Sequence, residues 1–327
     1  MNNKLHLDKA HLLEKLKQML RIRLFEEKCA ELYTQEIIRG FLHLYIGEEA
    51  IAVGVMAALL PEDKIVATYR EHGHALARGL SMKSVLAEMY GRTNGCSKGR
   101  VGSMHLFDLE HNFYGGNAIV GGGLPLAAGL AMANKKKGKN AVVVCFFGEG
   151  AVAEGEFHEA MNLAVLWELP VLFVCENNGY AMGTALALSE SETNIAKKAQ
   201  SYGMRSEQVD GMNVVNVEAS ATNAIKTIKD NGQPYFLECQ SYRFHGHSSV
   251  DGQLYRGKEE VEKWQKHGPV IQLKHWLMQN HLITENEFSE LEIQIKNEIL
   301  EAIDFAEQGQ LELINDLCNH VYSPKIH

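Results

Sequence analysis

The sequence lacks the features that mark membrane-spanning, secreted and nucleic-acid-binding proteins. It has no run of about 18 consecutive apolar residues, the length that spans a membrane. Its 41 acidic residues outnumber its 32 basic residues, and the net charge of -9 disfavours a nucleic-acid-binding surface. The polar segment Met1–His11 shows neither a signal-peptide core nor a transit pattern, so we expect a cytoplasmic protein or an already processed mature form.

Cysteines are few and none forms a C-x-x-C pair, which disfavours structural zinc and thioredoxin-like redox sites. Two of the six, Cys145 and Cys175, fall inside apolar runs. Free cysteine is among the most buried residue types, so we expect reduced thiols in a hydrophobic core.

The composition is that of an ordinary soluble protein, with 46% hydrophobic and 22% charged residues among 327. We predict one α/β domain with a mostly parallel sheet flanked by helices, extended by helices at both ends. The expected divisions are an N-terminal helical extension over 1–40, an α/β ligand-binding domain over 41–257 and a C-terminal helical region over 258–327.

The first third of the sequence predicts helices followed by a working loop. Leucines at near-helical spacing predict a helix over residues 8–38, and a second helix over 47–60 stops before Pro61. A short strand is predicted over 65–68. Glycines crowd residues 91–123, which is typical of a functional loop rather than a linker, and small residues predict a closely packed helix over 124–134.

The clearest block is a βαβ unit between residues 141 and 175. Apolar runs over 141–147 and 171–175 predict two buried strands, and a helix is predicted between them over 154–167. Such a unit has parallel strands and a right-handed crossover.

Further alternation is predicted downstream. We expect helices over 194–202 and 219–229, and strands over 206–209, 214–217 and 235–240. From residue 259 onward the pattern is helical, and Thr284 with Glu287 forms a capping-box signature for a last helix reaching about residue 306.

Two polar groups follow the strands of the βαβ unit. Glu149 comes directly after the first strand, and Asn177-Asn178 after the second. Parallel neighbours place both groups at the carboxyl edge of the sheet, where open α/β folds bind ligands. The helix beginning near Glu154 would direct its free N–H groups at the same crevice, which suits a diphosphate.

Two ligands remain open for this crevice. Gly148-x-Gly150-x-x-Ala153 satisfies a loose dinucleotide fingerprint, with Glu176 as the candidate ribose-binding acid. However, the Glu149 carboxylate would repel a bare pyrophosphate. Mg²⁺ between them removes the conflict, because carboxylate and amide oxygens are hard ligands for this ion. Asn177-Asn178-Gly179 by itself could equally be an ordinary turn.

The order of several motifs, from about Leu20 to Ala306, resembles the α subunits of thiamine-diphosphate-dependent 2-oxo-acid dehydrogenases. The matching segments are rich in glycine, histidine and asparagine. They are His43-Leu44-Tyr45 with Gly47-Glu48-Glu49-Ala50, Tyr69-Arg70-x-His72-Gly73, Gly102-Ser103-Met104-His105, Asn112 to Asn117, Gly148-Glu149-Gly150, Cys175 to Asn178, Asp210-Gly211-Met212 and Tyr242-Arg243-x-His245-Gly246-His247.

The resemblance implies roles for the matched residues. It makes thiamine diphosphate and Mg²⁺ the cofactors, with Arg70 on the diphosphate, His247 as a proton-transfer group and His43 in the 2-oxo-acid pocket; His72 is a third catalytic candidate. The implied cofactor-binding set is Tyr69, Arg70, Ala118, Val120, Glu149, Gly150, Ala151, Asn178, Tyr180 and His247, of which Glu149, Asn178 and the Tyr180 carbonyl would bind magnesium.

Two positions depart from the family's pattern. Glu149 stands where the family usually has Asp, and the extra methylene moves the carboxylate by up to roughly 1.5 Å, one C–C bond. Ala118 stands where related chains commonly have Gly.

The implied function is decarboxylation of pyruvate and transfer of the acyl group to a lipoyl carrier. The acid that activates the cofactor's aminopyrimidine is implied to come from a β subunit, in an α2β2 assembly that serves a lipoyl-bearing E2 acyltransferase. Acetoin and branched-chain 2-oxo acids are alternative substrates. A nicotinamide-dependent oxidoreductase and a non-catalytic binding subunit are hypotheses from other classes.

Overall fold

The computed structural model describes residues 8–319 and residue 321. A five-stranded, wholly parallel sheet in the order β1-β2-β3-β7-β6 forms its centre. The strands are β1 (Lys64–Val66), β2 (Val143–Gly148), β3 (Val171–Asn177), β6 (Arg205–Asp210) and β7 (Tyr235–Gln240), with a small antiparallel hairpin formed by β4 (Tyr180–Ala181) and β5 (Thr184–Ala185).

Twelve α-helices lie within the described part of the chain. They are α1 (Lys9–Thr34), α2 (Glu49–Ala57), α3 (His72–Arg78), α4 (Met82–Met89), α5 (Gly123–Lys136), α6 (Gly155–Leu166), α7 (Leu186–Ser189), α8 (Ile195–Gln200), α9 (Val214–Asn231), α10 (Lys258–Gln265), α11 (Pro269–Gln279) and α12 (Glu285–Glu307).

Side chains of the central strands alternate between two hydrophobic cores. In β2, Val144 and Phe146 face the core that contains α1, α2 and α9, whereas Cys145 and Phe147 face the core that contains α5 and α6. Successive side chains of a strand point to opposite faces, so a strand with helices on both faces must be apolar throughout. This requirement explains the continuous apolar runs of the sequence.

The structure confirms the predicted fold class and the βαβ unit. β2 and β3 pair in parallel, with α6 as the crossover between them. The capping box at Thr284 and Glu287 is also present, since each residue accepts a backbone N–H of the other. Cys145 and Cys175 are buried and unpaired, as expected. Along the described residues, no helix is both long enough and apolar enough to cross a membrane.

Some predicted elements were wrong. Residues 214–217 were predicted as a strand but form the first turn of α9, because the Asn213 side chain accepts the N–H groups of Val215 and Asn216 and caps the helix. The helix predicted over 8–38 ends at Thr34, since Glu36 adopts a positive φ of 61°. Helices α3 and α4 were not predicted.

The helical extensions are formed by α1 and by α10 to α12. Residues 1–7 of the predicted extension over 1–40 lie outside the described residues, as do residue 320 and residues 322–327 of the region over 258–327. The boundaries between the three regions stay predictions.

Candidate active site

A cavity of about 250 Å³ opens at the carboxyl edge of the sheet. Its walls come from the end of β2 and the turn after it, from the segment that follows β3, and from the loops at 67–70 and 117–123. Arg243 and His247, in the loop after β7, complete the lining. The cavity therefore lies where parallel α/β sheets bind their ligands.

The two polar groups predicted at this edge lie together. Gly148 at the end of β2 is the register partner of Glu176 in β3, and the backbone N–H of Asn178 donates to Oε2 of Glu149 over 3.3 Å. The neighbouring amide, Asn177, instead donates to Glu238 over 2.8 Å and does not line the cavity. Asn178 alone of the two is therefore a candidate ligand.

Glu149 is a buried carboxyl group of the cavity whose hydrogen bonding is incomplete. Its side chain is only 2% exposed, and among the described residues its Oε1 atom has no hydrogen-bond partner. Burial raises the pKa of this carboxyl. A buried, half-satisfied carboxylate is unfavourable unless a positive charge compensates it. The site thus fits a divalent ion better than it fits a bare pyrophosphate.

The Asn178 amide is fixed in orientation. Its Nδ2 donates to Oε1 of Glu48 over 3.1 Å, and its Oδ1 accepts the N–H of Tyr180 over 3.3 Å. The carbonyl of Tyr180 accepts a long bond of 3.4 Å from Arg243. Among the described residues no cluster of three or more His, Cys, Asp or Glu could hold a metal, and the set proposed from sequence contains one carboxylate only.

Gly150 allows the turn after β2 to approach the β4 hairpin. A Cβ atom at this position would lie 2.7 Å from Cβ of Ala181, closer than real side chains come. The short 3-10 helix Glu149–Ala153 separates β2 from α6, which begins at Gly155. In the dinucleotide fingerprint the glycine turn opens directly into the helix, so this geometry differs from it.

Arg70 ties three segments of the cavity wall together. Its guanidinium donates to the carbonyl of Leu44 over 2.7 Å and to the carbonyl of His247 over 2.8 Å. Its Nε lies 4.0 Å from Oε2 of Glu48. The side chain is buried and lines the cavity. Its position beside the cavity suits recognition of phosphate oxygens.

Three aromatic rings cluster on one side of the cavity. The ring centroids of His43 and His247 are 5.1 Å apart, and Tyr69 lies 4.5 Å from His43 and 5.7 Å from His247. Burial, together with the positive charge of Arg70, lowers the pKa of His43 to about 3 and that of His247 to about 4. Both imidazoles are therefore neutral near pH 7.

Nearly all residues of the predicted cofactor set line the cavity. These are Tyr69, Arg70, Val120, Glu149, Gly150, Ala151, Asn178, Tyr180 and His247. Ala118 is exposed and lies outside the lining, although Ile119 and Val120 belong to it. His43 is also outside the lining and packs behind Tyr69 and His247.

The structure does not bring His72 to the cavity. Its Nδ1 contacts Glu26 at 3.0 Å and its Nε2 contacts the Ser103 hydroxyl at 2.8 Å, with the ring wholly buried. Burial opposes a charge on His72, but Glu26, Glu71 and the Ser103 carbonyl together outweigh burial and raise the pKa of the imidazole. This contact set is that of a structural histidine, so a catalytic role for His72 has no support in the geometry.

The sequence pattern did not single out Glu48 and Arg243 as lining residues, and it offered Glu176 only as a ribose-binding acid, although each of the three lies in a matched motif. Glu176, the candidate ribose-binding acid, accepts from His74 over 2.9 Å and from the Tyr45 hydroxyl. The sequence signal that could have marked Glu48 and Glu176 as lining residues is that each is adjacent to a glycine or an asparagine. The long-range contacts that turn them toward the cavity have no sequence signal.

Comparisons with known proteins show which family this chain belongs to. A family model described as dehydrogenase E1 component matches residues 17–313. The chain is 44% identical to the pyruvate dehydrogenase E1 component subunit alpha of Zymomonas mobilis, over 97% of this chain and 90% of that protein. Proteins of the same description from Rhizobium meliloti and Porphyra purpurea are 42% and 37% identical, over 93% and 98% of this chain and 88% and 95% of theirs.

The matches extend over nearly the whole chain and over nearly the whole length of these relatives, and they include every segment that builds the cavity. The chain therefore belongs to the dehydrogenase E1 component family.

Proposed function

We propose that the chain is the α subunit of a pyruvate dehydrogenase E1 component, which decarboxylates pyruvate and passes the acyl group to a lipoyl carrier. Membership of the family implies thiamine diphosphate as the cofactor. The names of relatives at 37–44% identity support pyruvate over acetoin or a branched-chain 2-oxo acid. The observation that carries the proposal is the cavity that places Arg70, His247 and the half-satisfied Glu149 carboxyl around one space.

The residues of the cavity divide the work of binding and proton transfer. Thiamine diphosphate, when bound, supplies the nucleophilic carbon and the electron sink for decarboxylation. Arg70 and the backbone at Gly150 and Ala151 would hold the diphosphate. His247 lines the cavity and is neutral near pH 7, so its imidazole presents a nitrogen lone pair for proton transfer.

We infer that Mg²⁺ links the diphosphate to the protein. Glu149, Asn178 and the carbonyl of Tyr180 would hold the ion, because they supply three hard oxygen atoms. The free Oε1 of Glu149 supports this inference, since a buried carboxylate oxygen without a donor is costly. The second oxygen of Glu149 accepts the Asn178 N–H, so Oε1 is the oxygen that is available to the ion.

We also propose that a β subunit completes the site in an α2β2 assembly and that a lipoyl-bearing E2 acyltransferase receives the product. Apolar side chains at the cavity mouth support a covering chain: Ile119 is 67% exposed, Val120 44% and Met182 64%. A cytoplasmic location is a further proposal, which rests on the sequence alone.

Reconstitution tests the substrate. The chain with its β partner should decarboxylate pyruvate faster than branched-chain 2-oxo acids, and should not cleave acetoin at a comparable rate. The chain alone should be inactive. Preference for acetoin or for a branched-chain acid would replace the proposed substrate, and full activity without β would refute the divided site.

Substitutions at Glu149 test the metal. Glu149→Gln should raise the Mg²⁺ concentration needed for half-maximal cofactor binding at least about 10-fold. Loss of a residue that only supports a metal ligand already lowers metal affinity by about 10-fold or more, and loss of a direct ligand should cost no less. Glu149→Asp keeps the carboxylate and should be affected less. Glu159→Gln, on the exposed surface of α6, is the matched control. Equal Mg²⁺ dependence in all three variants would exclude Glu149 as a ligand.

A further inference from the structure

We propose that Glu71 is a positioning residue that fixes segment 105–117 and, through it, the cofactor-facing wall of the cavity. This inference rests on the proposed function. Glu71 directly follows Arg70, which lines the cavity, and precedes α3, so the backbone of Glu71 adjoins the cavity wall. Its side chain points away from the cavity and is wholly buried.

The first contact of the Glu71 carboxyl is with the start of the segment. Oε1 accepts the backbone N–H of Leu106 over 2.7 Å. Leu106 is itself fully buried, and its carbonyl accepts the N–H of Gly116 over 3.3 Å. The carboxyl therefore binds the segment at the point where its two ends, Leu106 and Gly116, are hydrogen-bonded to each other.

The second contact is with the end of the segment. Gly116 lies so close to the carboxyl that a Cβ atom there would fall 2.3 Å from each of its three heavy atoms. Only glycine leaves room for the carboxyl at this point. The backbone of Gly116 and the side chain of Glu71 thus determine each other's position.

The third link is from the segment to the cavity. Asn117 follows Gly116 directly, lines the cavity and accepts the N–H of Ile119 through its Oδ1 over 2.9 Å. Ile119 and Val120 line the cavity next to it. A shift of Gly116 would therefore move the wall that faces the cofactor.

Burial favours a neutral Glu71 carboxyl. Burial raises its pKa to about 8, whereas His72 and the Leu106 N–H lower it and Glu26 raises it. Its Oε2 atom is buried and has no hydrogen-bond partner within the described residues. Ionisation of Glu71 would place a negative charge with incomplete compensation next to segment 105–117, and such a charge is unfavourable in a buried position.

The test compares three variants in the complex with the β partner. Glu71→Gln keeps an oxygen for the Leu106 N–H and has no charge, Glu71→Ala removes the contact, and Glu110→Ala removes an exposed carboxylate from the same segment. Thiamine diphosphate affinity is measured calorimetrically with saturating Mg²⁺, and hydrogen exchange is measured at the Leu106 amide. Glu71→Ala should weaken binding about tenfold and expose the amide, because it leaves a buried N–H without an acceptor.

The pH profile separates positioning from a general loss of stability. As the pH rises from about 4.5, the ordinary pKa of a glutamate, to about 8, the pKa of Glu71 in the folded protein, the wild-type complex should lose affinity and Leu106 protection, after correction for intrinsic exchange, whereas Glu71→Gln should lose neither. Identical pH profiles for wild type and Glu71→Gln would overturn the inference.

A double substitution tests the steric link without relying on charge. Gly116→Ala should impair binding in the wild-type background but add little in Glu71→Ala, where the clashing atoms are gone. Additive effects would contradict the link. If the wild-type complex itself fails to bind thiamine diphosphate, the proposed function fails; if it binds and all variants match it, only the role of Glu71 fails.

Discussion

Glu88 offers a sharp test of how the loop after α4 is held in place. This carboxylate in α4 is wholly buried and accepts four backbone N–H groups of one loop. Oε2 accepts from Ser97 and Gly99, each over 2.8 Å, while Oε1 accepts from Val101 over 2.8 Å and Gly102 over 3.3 Å. This one side chain therefore accepts four of the backbone N–H groups of the loop.

The substitution Glu88→Gln changes one oxygen to an amide nitrogen and leaves the volume unchanged. The nitrogen cannot accept, so two of the four N–H groups lose their acceptor and face another donor. Hydrogen bonds to a charged group contribute about 1.5–3 kcal/mol each, which gives roughly 3–6 kcal/mol for two. The loop is partly exposed, and water can satisfy the freed groups, so we expect a loss of about 3 kcal/mol, at the lower end of this range.

Urea unfolding of the purified protein, followed by the fluorescence of its three tryptophans, measures this loss. Glu290→Gln, an exposed substitution in α12, is the matched control and should change the free energy of unfolding by less than about 0.5 kcal/mol. The reasoning would be refuted if Glu88→Gln were as harmless as this control.

Three other substitutions give distinct outcomes in the same assay. Gly73→Ala should destabilise the protein by about 1–3 kcal/mol, because the added Cβ would lie 2.2 Å from the Tyr45 ring. Gly129→Ala, with nothing within 4 Å, should stabilise α5 by roughly 0.5–1 kcal/mol, and the opposite sign for either would contradict the packing. His43→Gln should reduce the loss of unfolding free energy that occurs as the pH is lowered below 6.5. The pKa of His43 falls from 6.5 unfolded to about 3 folded, so the unfolded chain binds the extra proton and wild-type stability drops about 1.4 kcal/mol per pH unit below 6.5.

The sequence predicted the elements whose signals are local. The apolar runs of β2 and β3 identify buried parallel strands because both faces of the sheet are covered, and Thr284 with Glu287 marks a helix start by its own hydrogen bonds. The start of α9 was predicted wrongly because Val214, Val215 and Val217 have β-branched side chains, and the capping by Asn213 outweighed that propensity.

The candidate site was predictable where parallel strand ends bring residues together. Glu149 and Asn178 follow adjacent strands, and their contact follows from sheet geometry. A catalytic role for His72 stays a prediction: its motif borders the cavity, while its ring turns toward Glu26, 46 residues earlier in the chain. Contacts of this range, like that of Glu71 with Leu106, depend on tertiary packing that no local pattern encodes.

The central claim is that the Glu149 cavity binds a diphosphate through a divalent ion. Calorimetric titration of the chain with its β partner tests it most directly, using thiamine diphosphate with Mg²⁺, thiamine diphosphate with a chelator, and NAD with Mg²⁺. We expect saturable binding in the first titration, strongly weakened binding in the second and none in the third. Binding of NAD, or binding of thiamine diphosphate that is indifferent to Mg²⁺, would contradict the account.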